Sequence, residues 1–127
     1  MDAEGTLPAI SKVEGNYIRT LFETGYTSKM PGTEDGVNEI QRVYSPCYGS
    51  PFMPLPVNTY SDLLMDRISI LQSNVYLVNT GMNREGKRFA LEYTRNCIKR
   101  AIDKDYKTTY VNWKGIPGKE IELSALV

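Results

Sequence analysis

Residues 58–80 read NTYSDLLMDRISILQSNVYLVNT, and whether this is one long helix or a helix followed by a strand decides the class of the whole chain. Asn58, Thr59 and Ser61 are all side chains that cap helix N-termini, and Asp62 suits a first turn. Leu63, Leu64, Ile68 and Leu71 recur at one, four and three residues, enough for one apolar face. Gln72, Ser73 and Asn74 then break the pattern, and VYLVNT (75–80) is rich in β-branched and aromatic residues. The segment therefore reads as a helix over about 60–71 with a strand behind it. A single helix running to 79 is the competing reading and would make the fold helix-dominated.

Downstream, MNREGK (82–87) is a polar turn and RFALEYTRNCIKRAIDKD (88–105) is the clearest helix. Its expected span is 88–104, with Leu91, Ile98 and Ile102 as the buried stripe and Ala90, Cys97 and Ala101 beside them. TTYVNW (108–113) and KEIEL (119–123) flank KGIPG, the grammar of a hairpin. Upstream, NYIRTLFETGYT (16–27) reads as a strand from its β-branched and aromatic content. SKMPGTEDG (28–36) is loop, and VNEIQRVY (37–44) is a short strand or a single helical turn. Residues 1–15 have few apolar side chains and read as an extended N-terminal arm. Short antiparallel strands with two helices, without regular strand–helix alternation, point to an α+β fold. The expectation is one small domain over 16–127, with a C-terminal hairpin and an ordered Pro-rich extended segment at 45–56.

Composition narrows the chemistry. The 127 residues contain no histidine, so Ser-His-Asp, Cys-His and histidine-base arrangements cannot be assembled within this chain. Two cysteines, Cys47 and Cys97, cannot supply a zinc set without histidine; both read as reduced, and no metal or cofactor motif is present. There is no run of 18 apolar residues, and the first residues lack the basic and apolar regions of a secretory signal, so the expected setting is cytoplasmic, or a virion assembled there. Asp62 and Asp66 share a helical face, which reads as helix-terminus compensation and an arginine pair rather than a catalytic couple. YSDLLMDRISIL (60–71) resembles the segment that opens the core of Clp-type serine proteases, a match that carries no function because the catalytic histidine cannot exist here.

Two surfaces stand out. SPCYGSPFMPLP (45–56) interleaves four prolines with sizeable apolar side chains. Prolines keep it out of regular sheet pairing, while Tyr48, Phe52, Met53 and Leu55 need something to cover them, either this domain's own core edge or a neighbouring subunit. Pro51-Phe-Met-Pro54 fits a PxxP ligand in letters but lacks a flanking arginine. The second surface is basic: eight Lys/Arg against four Asp/Glu between Arg84 and Lys107. Arg84, Lys87 and Arg88 surround Gly86 near the expected helix start, with Arg95 farther on, and could hold a small anion such as a nucleotide phosphate. NREGKR lacks the spacing of a specific phosphate cradle, and zero net charge with a pI near 6.3 argues against nucleic acid.

Net charge is −4 over residues 1–83, from five basic and nine acidic residues, and +4 over 84–127, from ten and six. Arm, apolar strip and charge asymmetry together suggest a non-catalytic protein-binding subunit of a homo-oligomer or larger assembly of the viral or phage kind. A binder of a small anionic ligand, through Arg84, Lys87, Arg88 and Arg95, is the alternative.

Overall fold

A computed structural model describes residues 1–32 and 34–127; Thr33, in the loop expected over 28–36, lies outside the described residues. In chain order the elements are β1 (Ile10–Val13), α1 (Asn16–Thr24), β2 (Tyr26–Lys29), β3 (Gln41–Tyr44), α2 (Val57–Leu71), β4 (Val75–Val78), α3 (Leu91–Asp103), β5 (Thr108–Trp113) and β6 (Ile121–Leu126). Four strands form one antiparallel sheet in the order β4-β1-β6-β5, and β2 pairs with β3 in a second.

Residues 1–15 are not an arm. Ile10–Val13 is an inner strand, with Ile10 opposite Val78 on one side and Ser11 opposite Ala125 on the other. Both faces of β1 are covered, which is why its sequence shows no apolar–polar alternation. Val13, Ile121 and Leu123 face a core completed by Ile18 and Leu21 of α1, Trp113, and Leu64 and Ile68 of α2. On the opposite face, Ile10 packs with Cys97 and Ala101 of α3, flanked by Tyr76, Val78 and Leu126.

The strand expected at 16–27 is corrected as well. Asn16–Thr24 is helical, and only Tyr26–Lys29 is extended. Ile18, Leu21 and Phe22 stand at i, i+3 and i+4, and that spacing, read against a core, outweighs the β propensity of isoleucine and tyrosine. Gly25 ends the helix in the left-handed region at φ 60°, its N–H donating to Leu21 O at 2.8 Å. A Cβ there would lie 1.7 Å from Ser45 O, so close approach as well as φ requires glycine.

The decisive stretch is a helix followed by a strand. α2 starts at Val57 immediately after Pro56, and it ends at Gln72, whose positive φ of 50° closes the last turn. Its inward residues are Leu64, Met65 and Ile68, while Leu63 and Leu71 of the expected face are exposed. Asp62 pairs with Arg19 of α1 at 2.5 Å, which ties the two helices together at their solvent edge.

α3 starts at Leu91 rather than 88, because Arg88 is still bridged to Met82 across the preceding turn. Its buried residues are Thr94, Cys97 and Ala101; Leu91, Ile98 and Ile102, the expected buried stripe, are exposed. The Pro-rich segment is neither extended nor polyproline-like but folds into two 3-10 turns, Pro46–Tyr48 and Ser50–Phe52. Cys47 there is buried at φ 59°, whereas Phe52 is 85% exposed and Leu55 is also exposed. Cys47 and Cys97 are both free thiols. No helix among the described residues is long and apolar enough to cross a membrane.

Candidate functional site

The first residues build a polar clamp that sets the geometry of the neighbouring surface. Asp2 is fully buried, and its carboxylate accepts five hydrogen bonds. The donors are the N–H groups of Glu4, Thr6 and Leu7 at 3.0, 2.7 and 2.7 Å, the Thr6 hydroxyl at 3.1 Å and the Tyr26 hydroxyl at 2.7 Å. Burial alone would push the Asp2 carboxyl up, but these donors outweigh it and hold it below the usual carboxylate range. Burial first, and then the bond to Asp2, push the Tyr26 hydroxyl well above the ordinary tyrosine value.

Asn79, at the end of β4, joins this turn to the next loop. Its Oδ1 accepts from the N–H of Asp2 at 2.9 Å and of Gly81 at 2.8 Å, while its amide donates to Leu7 O at 3.1 Å and Met82 O at 3.3 Å. The loop lies so near that a Cβ on Gly81 would meet Asp2 O at 2.1 Å. Trp113 closes the other side: its Nε1 donates to Thr6 Oγ1 at 3.0 Å, and its ring meets Tyr26 edge-on with centroids 4.9 Å apart. Sequence reading passed over Asp2, although an Asp followed two and four residues later by N–H groups it can bind is turn grammar that was there to be used.

Two concave surfaces adjoin the clamp. One is an open groove of about 490 Å³ between α3, residues 7–10 and the β5–β6 pair, with Phe89 and Tyr93 stacked along it at 5.7 Å. The other, about 310 Å³, is lined by Glu4, Thr6, Arg42, Arg84, Trp113 and Lys114 among others. Arg84 lines both. Arg42 is already engaged: it grips Glu4 through two nitrogens, donates to Gly115 O at 3.2 Å and lies 5.8 Å above the Tyr26 ring. Glu4 is the first cause of the rise in Arg42's affinity for its proton. Lys114 is paired with Glu120 at 2.9 Å. Arg84 makes no hydrogen bond or ion pair with its side chain among the described residues, so it is the cation of this depression open to a ligand.

The four basic residues singled out from the sequence do not converge on either surface. Among the described residues, Arg84 lines both surfaces and the other three line neither. Lys87 faces Glu85 at 3.9 Å, Arg88 donates to Thr80 O at 3.4 Å, and Arg95 stands exposed on α3. The turn itself offers little to an anion. Asn83 Oδ1 takes the N–H of Glu85 and of Lys87, and Asn83 O takes that of Gly86, so donors that might have cradled a phosphate are spent internally. Of the four residues expected to bind a partner, Tyr48 is partly sheltered beside Phe22, Leu64 and Tyr76, Met53 is half-buried over Gly49, and Phe52 and Leu55 stand outward.

The model of the phosphoenolpyruvate carboxykinase family matches residues 1–122. A protein of Lysinibacillus sphaericus named phosphoenolpyruvate carboxykinase (ATP) is 45% identical over 106 residues, covering 80% of this chain and 20% of that protein. Proteins of the same name from Campylobacter jejuni and Bacillus cereus are 43% identical over 106 residues and 40% identical over 126. The Bacillus cereus match covers 96% of this chain and 24% of the relative, so the chain spans a fifth to a quarter of the length of these relatives. Relatives named as enzymes overturn the expectation of a non-catalytic, structural assembly subunit, and with it the viral setting and the alternative of a mere anion binder. The lack of histidine excluded only histidine-dependent catalysis within these 127 residues, and over three-quarters of each relative's length lies outside the match. With a family model covering nearly its whole length, the chain belongs to the phosphoenolpyruvate carboxykinase family.

Proposed function

We propose that this chain forms part of an ATP-linked carboxykinase acting on phosphoenolpyruvate. The observation that carries the reading is 40–45% identity to relatives bearing that name, over 80–96% of the chain. Phosphoenolpyruvate and ATP are both multiply charged anions, so a catalytic site for them needs cations held in place in advance. Arg84, uncommitted and at the junction of the two concave surfaces, is the cation this segment offers. The clamp of Asp2, Asn79 and Trp113 gives its loop a fixed position. The remaining catalytic groups come from parts of the polypeptide beyond this match. An α+β description of the segment and a cytoplasmic setting belong to the same proposal.

The test is a chimaera in which this chain replaces the matching stretch of the Bacillus cereus relative. ATP-dependent carboxykinase activity retained by the chimaera supports the reading. A chimaera that is folded and monodisperse yet inactive at saturating substrates would sink it.

A further inference from the structure

We infer that the outer stripe of α3, formed by Leu91, Ile98 and Ile102, is an internal interface that receives an apolar segment of the remaining polypeptide of a family-length protein. These side chains are 65%, 38% and 73% exposed. At about 100° per residue, Thr94, Cys97 and Ala101 point at the sheet, and Ile98, Leu91 and Ile102 follow directly around the same side of the helix. From Cys97 round to Ile102 the apolar arc spans about 140°, wider than the roughly 100° that one packing partner requires.

A helix with one covered half-arc and one bare half-arc is built for two neighbours. The sheet supplies the first. The second is not within the described residues, and the relatives hold at least three times as much additional chain as this segment contains. That additional chain, rather than a second copy, is the occupant for another reason: the stripe carries Arg95 between Leu91 and Ile98, so two copies laid face to face would bring two arginines together. A segment with an apolar face and a carboxylate or carbonyl opposite Arg95 fits without that clash.

The inference rests on the chain's working within a family-length protein, and its test is separable from the activity test. Hydroxyl-radical footprinting of the chimaera and of the 127-residue chain compares labelling at the same side chains. Expected is strong labelling of Leu91, Ile98 and Ile102 in the chain alone, falling in the chimaera to the level of buried Leu123. Equal labelling in both would overturn the inference, whether or not the chimaera is active. Protection in the short chain that disappears on dilution, with a dimer by light scattering, would overturn it in favour of self-association. Should the chimaera not fold, the short chain is mixed with the rest of the relative as a separate polypeptide. Wild type should then be captured and Ile98→Glu/Ile102→Glu lost, while equal capture of both again overturns the inference.

Discussion

The Tyr26 hydroxyl donates to Asp2 Oδ1 at 2.7 Å, joining the first turn of the chain to the second sheet in a place water does not reach. Because the acceptor is a buried carboxylate, this bond is worth more than a surface one. Tyr26→Phe should lower unfolding free energy by about 1.5–3 kcal/mol, as expected for a hydrogen bond to a charged group. Chemical denaturation at neutral pH measures it, and a loss below half that range would show the contact to be incidental.

The same carboxylate makes stability depend on pH. Asp2 is held below its ordinary value of 3.8 in the fold, so the unfolded chain binds its proton first as pH falls. The contribution is complete above the unfolded value, and it declines as pH drops through 3.8 towards the lower folded value. Urea midpoints between neutral and acid pH should therefore fall more steeply for the wild type than for Asp2→Asn. Parallel curves would refute the assignment.

Gly25 is predicted to be among the least replaceable residues. Gly25→Ala puts a side chain into the left-handed region and within 1.7 Å of Ser45 O, where the β2–β3 pairing begins. A loss of about 3 kcal/mol or more is expected, read as a drop in thermal midpoint. A change under about 1 kcal/mol would mean that the backbone relaxes there.

Leu123 and Leu71 separate real core from apparent core. Leu123 is fully buried in the core that β1, α1 and α2 residues share, and Leu71 is 68% exposed although the helical pattern marks it as inward. Leu123→Ala should cost about 2–5 kcal/mol and Leu71→Ala under about 0.5 kcal/mol in the isolated chain. Equal costs from denaturant titration would contradict the packing described.

For Arg84, kinetics of the chimaera decide. Arg84→Ala should raise KM for one of the two anionic substrates about tenfold, equivalent to about 1.4 kcal/mol, with kcat nearly unchanged. Arg88→Ala, whose side chain is turned onto Thr80 O, should leave both parameters near wild type. If the two variants behave alike, Arg84 has no special place.

The helix at 57–71, the helix around 91–103 and the C-terminal strand pair could be read from the chain, because 3.6-residue spacing and a glycine-containing turn are local signals, although Asn58, Thr59 and Ser61, read as caps, lie inside a helix that starts after Pro56. β1 could not, because a strand covered on both faces loses its alternation and its partners lie far along the chain. α1 was misread because Ile18 and Tyr17 favour strands intrinsically, and only the core tells which periodicity prevails. The expected stripe on α3 is apolar by pattern, yet its cover does not come from this segment; a sequence marks that a face wants covering, not what covers it. Of the basic residues, all four were visible, but the side chain of Asn83 had already claimed the turn's N–H groups, a local detail that charge counting misses.

The order β4-β1-β6-β5 places the first strand made between two that are made much later, so Ser11 waits for Ala125 before its inner pairing can form. A ribosome must therefore release nearly all of this segment before the central sheet can close. Until then Ile10 and Val13 have only β4 and the helices for cover and lack the β6 side of the sheet, and joining strands so far apart carries a loop-closure cost. Refolding of this segment should be slow relative to a helical bundle of equal length, and the nascent chain is the stage at which it most needs protection from aggregation.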